Sequence, residues 1–516
     1  MTNLVIEARR DPYNLARECL AARAEDPATA ARHAFSFIDG DRVDRWTYRA
    51  VWAEVQRIAR GLLARGLAPG DRVLVRLPHS PSYAFAFFGA NLAGLVPIPA
   101  SPQLTDEEAS FLADDSQAHA LITADDRRLQ GFAGLVVREL DLARIDGRDV
   151  LPQTYAEDAA YMLYTSGTTA RPKGVLHAQR VLRGRAAMRG PAWEDLGPTD
   201  VTLHAGTLNW SYTLGVGLID PWCAGAHAIL AAAGTEPAAW PAIIEAHGVT
   251  VFTAVPTVYR QLLKYGQPEA ADLRSLRHGL CAGEALTPAV AEEWRARTGL
   301  PLYESLGMTE ISTYISSGPA VPVRDGSAGQ PQPGRRIAIL PEDIEGRADR
   351  GETPLPPGEP GLLAVHRSDP GLMLSYWRRP AEDAAAFRGD WFIGGDRAVI
   401  DADGYVWFQG RADDLIKSFG YRLSPVEIEA VLAAYPGIAE VAVVGRSLDA
   451  KKTLVTACFV PESGVVIDEA ALRMHMAATL AAYKQPHEYR VLASLPRTAN
   501  GKLQRAVLIA GMRDET

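Results

Sequence analysis

The feature that most constrains this chain is an alternation of helix-like and strand-like apolar segments along much of its length. In the first helix-like segment, Val51, Val55 and Ile58 recur at helical spacing. The segments that show the alternation are 49–63, 72–77, 82–92, 96–99 and 251–263. Chains that alternate strands with helices pack the helices against sheets. The sequence therefore predicts an α/β fold with layered β-sheets and helices.

The pattern changes after Gly410. A stretch rich in proline, glycine and charge at 341–360 predicts surface turns, and the chain beyond Gly410 carries its own elements. These are expected as a helix at 425–434, strands at 440–445 and 454–460, and a helix at 468–482. They suffice for an independent small α+β domain. We therefore predict a large N-terminal domain at 1–412 and a small C-terminal domain at 413–516, joined at 411–414.

Composition narrows the classes of partner. The 516 residues carry a formal net charge of −9 and no basic run, which argues against nucleic acid as a partner. The first nineteen residues mix charges into the apolar positions, so they lack a signal-peptide core. No apolar run approaches the roughly 20 residues of a membrane span. The four cysteines are scattered without metal-ligand spacing and are expected to be reduced thiols. We predict a cytoplasmic protein without a membrane span, either monomer or homodimer.

Residues 164–175 form the segment richest in chemical information. A run of serine, threonine and glycine ends at Lys173, so it supplies hydroxyls, closely approaching amides and one cation. Those groups hold a polyphosphate. The segment is not a P-loop, because Pro172 stands where that motif requires glycine. Taken alone, the segment fits a flexible surface loop better than a phosphate-binding loop.

Five further segments accompany it in order. They are 282–286 (AGEAL), 304–310 (ESLGMTE), 395–397 (GDR), 410–423 (GRADDLIKSFGYRL) and 496–502 (PRTANGK). Together with 164–175 they resemble the motifs of the adenylate-forming (ANL) superfamily, over nearly the whole chain. That superfamily includes acyl-CoA synthetases, aryl-CoA ligases, firefly-type luciferases and peptide-synthetase adenylation domains. The resemblance implies a large N-terminal domain of several subdomains and a small, mobile C-terminal domain.

The resemblance also implies a cofactor set of ATP, Mg²⁺ and coenzyme A. Glu310 and Thr165 would contact Mg²⁺, Thr309 would act beside Glu310, and Asp396 would accept hydrogen bonds from the ribose hydroxyls. The residues expected to bind the nucleotide or coenzyme A are Thr165, Ser166, Gly167, Thr168, Thr169, Lys173, Gly283, Glu284, Ser305, Leu306, Gly307, Met308, Asp396, Arg411, Gly420 and Arg422. Taken singly, each charged residue among them could instead be a solvated surface charge.

Three residues have roles that depend on an expected movement of the small domain. Lys502 would bridge the carboxylate and the α-phosphate during adenylation, where a cation stabilises the developing charge. Asp413 would be the hinge about which the small domain turns to a second, thioester-forming state. Gly420 would then approach the pantetheine arm. Alone, Lys502 would be a surface lysine and Asp413 part of an exposed acidic linker.

This chain departs from the family pattern at three positions. Ala170 replaces a glycine in the phosphate loop, Leu306 replaces the aromatic residue that stacks on adenine, and Gly395 replaces a threonine beside Asp396. None of these changes removes Lys502 or Glu310. We therefore expect them to alter the affinity for the nucleotide rather than the reaction.

The acyl pocket is expected from His204, Trp210, Tyr212, Ala282 and Ser312. The segment around Trp210 is similar to medium-chain acyl-CoA synthetases, whereas 308–317 is closer to benzoate-CoA ligases. Trp210 and Tyr212 could wall a flat pocket or be plain core residues. The small-molecule substrate is expected to be an aromatic or medium-chain apolar carboxylic acid.

Three functional classes remain open at the level of sequence. The resemblance favours an acid–CoA ligase that forms an acyl-adenylate and then an acyl-CoA. Only fourteen residues follow Lys502, so we expect free coenzyme A rather than a tethered carrier as the acceptor. The alternatives are an enzyme that loads a stand-alone carrier protein and a catalytically inactive nucleotide-binding homologue.

Overall fold

A computed structural model describes residues 11–124, 129–142, 144–165, 172–284, 286–342, 349, 351–412, 416–418, 421–447, 453–497 and 503–512. The chain divides into two compact units. The first comprises Met1–Ile337 and Val365–Phe392, and the second comprises Ala338–Ala364 and Ile393–Thr516. Residues 338–364 and 393–412, which the sequence analysis assigns to the large domain, are grouped with the second unit. The domain boundary at 412 stays a prediction.

The α-helices follow one another along both units. They are α1 (Leu15–Glu25), α2 (Tyr48–Leu63), α3 (Pro81–Leu92), α4 (Asp106–Ser116), α5 (Glu139–Leu142), α6 (Val181–Arg185), α7 (Ser211–Leu214), α8 (Asp220–Ala224), α9 (Trp240–His247), α10 (Pro256–Tyr265), α11 (Pro288–Thr298), α12 (Pro380–Ala386), α13 (Pro425–Ala433), α14 (Glu469–Thr479) and α15 (Arg505–Gly511). A π-helical turn, Gly215–Ile219, joins α7 to α8. Short 3-10 turns occur at Pro237–Ala239, Pro268–Ala270 and Ala482–Lys484.

The strands are β1 (His33–Asp39), β2 (Arg42–Thr47), β3 (Arg72–Arg76), β4 (Val96–Pro99), β5 (Ala120–Thr123), β6 (Leu135–Arg138), β7 (Ala159–Thr165), β8 (Lys173–Ala178), β9 (Val201–His204), β10 (His227–Ala231), β11 (Val251–Ala254), β12 (His278–Ala282), β13 (Leu302–Met308), β14 (Ser312–Ser316), β15 (Gln330–Pro331), β16 (Ile337–Leu340), β17 (Gly361–His366), β18 (Ser375–Tyr376), β19 (Phe387–Arg388), β20 (Trp391–Ile400), β21 (Val406–Arg411), β22 (Ile416–Ser418), β23 (Tyr421–Leu423), β24 (Ile438–Ser447), β25 (Thr453–Pro461) and β26 (Glu488–Val491). The division between the units falls within β16, β17 and β20.

Among the described residues, three sheets lie wholly within the first unit. The largest has nine strands in the order β15-β14-β13-β12-β11-β9-β10-β1-β2, and its pairs from β13 to β1 are parallel. A four-stranded parallel sheet has the order β4-β3-β5-β6, and an antiparallel sheet has the order β18-β8-β7. Parallel strands need crossover connections, which helices supply. The α/β prediction is therefore confirmed.

The second unit has separate small sheets. β20 pairs with β21, β22 pairs with β23, and β25 lies between β24 and β26. Buried apolar residues of β24 and β25, such as Val443 and Phe459, pack in one cluster with residues of α13 and α14 such as Leu472. The predicted helix at 425–434 and the strands at 440–445 and 454–460 are confirmed by α13, β24 and β25.

The predicted helix at 49–63 is confirmed as α2. It begins after Thr47, whose hydroxyl accepts a hydrogen bond from the amide of Ala50 at 3.2 Å, and its periodic apolar residues are buried. The region 341–360 contains no helix or strand within its described residues. None of the described helices combines the length and the apolar character that a membrane crossing needs.

Candidate active site

The carboxyl ends of four neighbouring parallel strands bring the predicted pocket residues together. β9 ends at His204, β11 at Ala254, β12 at Ala282 and β13 at Met308. Their registers place Ala254 opposite Cys281 and Ala282 opposite Ser305. We call these four strand ends the carboxyl edge. Ligands of open α/β sheets bind outside the carboxyl ends of the strands, so this edge is the candidate site of the first unit.

The ends of the phosphate loop are held by strand pairing. Thr165 closes β7 and Lys173 opens β8, and the two residues are paired directly. Ser166, Gly167, Thr168, Thr169 and Ala170 lie outside the described residues. The ammonium group of Lys173 forms an ion pair with Glu382 and lies 5.4 Å from the ring centre of Tyr376. The predicted phosphate-binding cation therefore already has an anionic partner within the first unit.

Thr309 and Glu310 lie in the turn between β13 and β14, and three residues from other elements hold this turn. His177 Nε2 donates to the carbonyl oxygen of Thr309 at 2.9 Å. The amide of Met373 donates to the carbonyl oxygen of Glu310 at 2.8 Å. The hydroxyl of Tyr376 donates to Glu310 Oε1 at 2.8 Å. Burial lowers the pKa of His177 to about 4, so its ring is a neutral donor at neutral pH.

His177, Met373 and Tyr376 are not among the residues predicted from the sequence. His177 is in β8, the strand that Lys173 opens, and this was the one available signal. Tyr376 lies 66 positions from Glu310 along the chain, so no local pattern connects them. Strand pairing makes the connection, since Tyr376 of β18 is paired with Val175 of β8.

The two carboxylates of the nucleotide-side segments serve as backbone anchors. Glu284 Oε2 accepts from the amide and the hydroxyl of Thr257 at 3.2 and 2.7 Å, at the start of α10. Glu304 Oε1 accepts from the amide of Leu286 at 2.9 Å, and burial raises the pKa of Glu304 to about 7. Glu284 and Glu304 thus fix the two ends of the segment that follows β12. The nucleotide-binding role of Glu284 and of the adjacent Gly283 stays a prediction.

The other residues of the 304–310 motif form a hydrogen bond and strand pairs with β14. The hydroxyl of Ser305 donates to the carbonyl oxygen of Ile315 at 2.8 Å. Leu306 is paired with Ile315, Gly307 with Thr313 and Met308 with Ser312 across β13 and β14. Ala282 is buried, and Trp210 is partly exposed just before α7.

A buried ion pair between Arg185 and Asp220 contacts the side chain of Ser312. Arg185 Nε donates to Asp220 Oδ1 at 3.0 Å, its Nη2 contacts Asp220 Oδ2, and its Nη1 donates to the hydroxyl of Ser312. Burial opposes ionisation, but the charge of Asp220 raises the pKa of Arg185 above its ordinary value. Gly215 makes room for this group, because a Cβ there would lie 2.3 Å from Arg185 Nη2. Ser312 is among the residues predicted from the sequence, whereas Arg185 and Asp220 are not.

In the second unit, Asp396 and Arg411 lie opposite each other on β20 and β21. Arg411 Nη1 donates to Asp396 Oδ1 at 3.0 Å and to the carbonyl oxygen of Gly394 at 2.6 Å. Gly395 has φ of +84°, and a Cβ there would lie 2.8 Å from Arg411 Nη2. The replacement of threonine by Gly395 therefore has a local reason, because this backbone conformation and this approach of Arg411 both suit glycine.

Several predicted site residues lie outside the residues that the structure describes. Lys502, Asp413 and Gly420 are not among the described residues, and Arg422 is described only by its backbone pairing with Lys417 in β22 and β23. Within the described residues, no three His, Cys, Asp or Glu side chains come together closely enough to hold a metal ion by themselves. Glu310 can therefore help to hold Mg²⁺ only if phosphate oxygens supply most of the ligands of the ion. Mg²⁺ commonly binds in this way together with a nucleotide.

Two family models match this chain. Residues 22–377 match the family model described as AMP-binding enzyme, and 427–502 match that described as AMP-binding enzyme C-terminal domain. Benzoate–CoA ligase of Thauera aromatica is 32% identical over 488 residues, which cover 90% of each chain. The mitochondrial acyl-coenzyme A synthetase ACSM3 of Homo sapiens is 30% identical over 89% of this chain and 82% of its own length. The crystal structure of the anthranilate CoA ligase AuaEII in complex with anthranoyl-AMP has a TM-score of 0.85 at 27% identity, covering 98% of both chains.

Proposed function

This chain belongs to the AMP-binding enzyme family, and from that premise we propose that it is an ATP-dependent ligase that joins a carboxylic acid to coenzyme A. The acid and ATP would first form an acyl-adenylate and pyrophosphate. The adenylate and coenzyme A would then form the acyl-CoA and AMP. The relatives named as benzoate–CoA ligase and acyl-coenzyme A synthetase support this choice of acceptor.

The observation that best supports the proposal is the cluster of Lys173, Glu310 and Tyr376. Lys173 opens the strand after the phosphate loop, Glu310 follows β13 of the large sheet, and Tyr376 contacts both. A cation and a hard carboxylate are therefore brought to the ends of two predicted nucleotide-binding segments. Phosphate oxygens need such cations, and a phosphate-bound Mg²⁺ needs such a carboxylate.

In the first step, a carboxylate oxygen of the acid attacks the α-phosphorus of ATP and the bond to the β-phosphate oxygen breaks, so that pyrophosphate leaves. Mg²⁺, when bound through the phosphates and Glu310, would neutralise phosphate charge. Lys173 would pair with phosphate oxygens in exchange for Glu382, and Tyr376 would hold the Glu310 carboxylate in place. Asp396, already fixed by Arg411, would accept hydrogen bonds from the ribose.

In the second step, the thiol of coenzyme A loses its proton and attacks the acyl carbon, and AMP leaves with the bonding electrons. The roles of Lys502 in adenylation, Asp413 as hinge and Gly420 beside the pantetheine arm are carried over from the family resemblance. They remain proposals for this chain, as does rotation of the small domain between the two steps.

The acid is proposed to be aromatic or of medium length. The relatives support both classes, through benzoate–CoA ligase on one side and acyl-coenzyme A synthetase ACSM3 on the other. Tyr212 supports a flat, apolar wall, because it packs against the buried cluster that contains Val216, Leu280 and Ala282. The cytoplasmic location and the choice between monomer and homodimer stay predictions from the sequence.

The proposed function is tested by its products. Purified protein with Mg²⁺, ATP, coenzyme A and a panel of short, medium, branched and aromatic acids should yield AMP, pyrophosphate and acyl-CoA. Formation of ADP and phosphate would contradict the adenylate chemistry. Pyrophosphate release without thioester would assign the acceptor to a carrier protein, and no turnover with any acid would favour the inactive homologue.

Lys502 can be tested by measuring both half-reactions on one variant. Lys502→Ala should lose adenylation by about 10²- to 10³-fold, as expected for one charged transition-state contact. The same protein, given pre-formed acyl-adenylate and coenzyme A, should make acyl-CoA at close to the wild-type rate. Loss of both half-reactions in a folded variant would contradict a separate thioester-forming state.

A further inference from the structure

Two of the four cysteines meet in the first unit although they lie 204 positions apart in the chain. Cys19 is in α1 and Cys223 is in α8, and their sulfur atoms are 3.2 Å apart. Both residues are free thiols. A disulfide bond has about 2.0 Å between its sulfur atoms, so these two atoms have only roughly 1.2 Å to close. The fold therefore brings into contact two thiols that are scattered in the sequence.

Other contacts hold α1 against α8. Arg23, in the last turn of α1, donates from Nη2 to the carbonyl oxygen of Cys223 at 3.0 Å. The thiol of Cys19 lies 4.0 Å from the carbonyl oxygen of Ile219. Gly225 follows α8 with φ of +80° and leaves room for Arg23, because a Cβ there would lie 2.5 Å from Arg23 Nε. The surrounding fold therefore positions the two sulfur atoms.

The two thiols differ in access and in acidity. Cys19 is 0% exposed, whereas Cys223 is partly exposed. The hydrogen bond from Cys19 lowers the pKa of Cys223, and the positive charge of Arg189 acts in the same direction. Burial raises the pKa of Cys19 well above its ordinary value. Because the thiolate is the reactive form of cysteine, Cys223 is the nucleophile of this pair.

The other two cysteines have the opposite character. Cys281 and Cys458 are buried, each at 0% exposure. Burial raises the pKa of Cys281 well above its ordinary value and that of Cys458 to about 12. Buried, protonated thiols react slowly. Cys281 and Cys458 are therefore internal controls for any chemistry at Cys223.

We propose that Cys19 and Cys223 form a redox-modification site, at which hydrogen peroxide converts the two thiols into a disulfide between α1 and α8. This inference goes beyond the proposed function and does not depend on it. It rests on the contact between the sulfur atoms, on the fixed packing of the two helices, and on the access to Cys223.

The oxidation takes two steps. The sulfur of Cys223 attacks one oxygen of the peroxide, the O–O bond breaks, and the other oxygen leaves as water, so that Cys223 becomes a sulfenic acid. The sulfur of Cys19 then attacks that of Cys223 and the S–O bond breaks. The hydroxide that leaves takes up the proton of the Cys19 thiol and forms a second water. Two electrons pass from the sulfur atoms to the peroxide, and exchange with an added dithiol restores both thiols.

Peptide mapping of the wild type tests the site. The reduced protein is treated with a small excess of hydrogen peroxide, alkylated and digested without reductant. We expect the peptides of Cys19 and Cys223 to be joined, with the loss of two hydrogen atoms, and dithiothreitol to separate them. Their oxidation should exceed that of Cys281 and Cys458 by at least about 10-fold. Absence of the joined peptide, or equal oxidation of all four cysteines, would overturn the proposal.

Two variants test the separate roles of the two thiols. Cys19→Ser keeps a hydrogen-bond donor for Cys223 but removes the sulfur that resolves the sulfenic acid. Dimedone, which labels sulfenic acids, should therefore label Cys223 in this variant. In Cys223→Ser, Cys19 should stay reduced, because it is buried and protonated. Labelling of Cys19 in Cys223→Ser to the extent of Cys223 in Cys19→Ser would contradict the assignment of roles.

Urea unfolding provides a readout that does not depend on mapping. A bond between residues 204 positions apart restricts the unfolded chain. The oxidised wild type should therefore unfold at a higher urea concentration than the reduced wild type. Cys19→Ser treated with peroxide should unfold at the same concentration as its untreated form. An unchanged or lower midpoint for the oxidised wild type would contradict the view that the fold already positions the two sulfur atoms.

Discussion

The hydroxyl of Tyr376 donates a hydrogen bond to Glu310 Oε1 at 2.8 Å, while the ammonium group of Lys173 lies 5.4 Å from the centre of the same ring. One side chain therefore touches both the predicted Mg²⁺ ligand and the predicted phosphate-binding cation. The pairing of β18 with β8 produces this arrangement, because it places Tyr376 beside the strand that Lys173 opens. Tyr376 is a positioning residue for Glu310.

Tyr376→Phe should weaken the response to Mg²⁺ without disturbing the ring beneath Lys173. Groups that orient a metal ligand typically alter metal affinity or activity by 10- to 100-fold. We expect the Mg²⁺ concentration for half-maximal adenylation to rise by about 10-fold, with the KM for the acid unchanged. A Mg²⁺ titration of pyrophosphate release measures this. Tyr48→Phe, which loses a comparable hydrogen bond to Ala226, should behave as wild type.

Glu382→Gln should lower the KM for MgATP. Lys173 is paired with Glu382, so the phosphates must compete with a carboxylate for the same ammonium group. Both side chains are partly exposed, and such pairs contribute up to about 1 kcal/mol. The expected decrease in KM is therefore up to about fivefold. It should shrink as added salt screens the charges. A higher KM would mean that Glu382 aids nucleotide binding instead.

The stability of the protein should depend on pH through Glu304. Burial raises the pKa of Glu304 to about 7, above 4.5 in the unfolded chain. Between these values the folded protein holds a proton that the unfolded chain has lost, so the free energy of unfolding falls as pH rises. Glu304→Gln retains an acceptor for Leu286 and cannot titrate. Between pH 5 and 8, the free energy of unfolding of the wild type should fall by roughly 1 to 3 kcal/mol more than that of the variant.

Urea unfolding at several pH values measures this difference. The control is Glu293→Gln, whose side chain is 53% exposed and should not change the pH profile. Parallel profiles for wild type and Glu304→Gln would show that Glu304 is ionised in the folded protein at pH 5.

Breaking the Arg185–Asp220 pair should be costly. Arg185 and Asp220 have side chains 3% and 0% exposed, so Arg185→Met leaves a buried carboxylate with only the weaker contact of Arg189, whose Nη1 lies 3.6 Å from Asp220 Oδ1. We expect a loss of about 3 to 5 kcal/mol in the free energy of unfolding. Adding Asp220→Leu should recover part of that loss, because the buried and now poorly compensated carboxylate is gone. Arg274→Met is the control, since Arg274 is 90% exposed in its pair with Asp272. Equal effects at Arg185 and Arg274 would contradict the role of burial.

Much of the fold follows from local pattern. The helix predicted at 49–63 is α2, because apolar spacing and the cap at Thr47 are properties of neighbouring residues. The strand at 96–99 and the strand and helix within 251–263 are likewise found where they were expected. The motifs were recognised by the same kind of local information, and they identified the family that the comparisons show.

The sequence by itself determined the α/β class, the order of the elements and the adenylate-forming family, since each depends on residues close together in the chain. Only the tertiary structure decided which groups the site residues meet. In the folded chain Glu310 accepts a hydrogen bond from Tyr376, and Glu284 accepts one from Thr257 at the start of α10. The Nε2 atom of His204 has no hydrogen-bond partner among the described residues. Burial and hydrogen bonding depend on packing between distant segments, and no local periodicity records which segments those are.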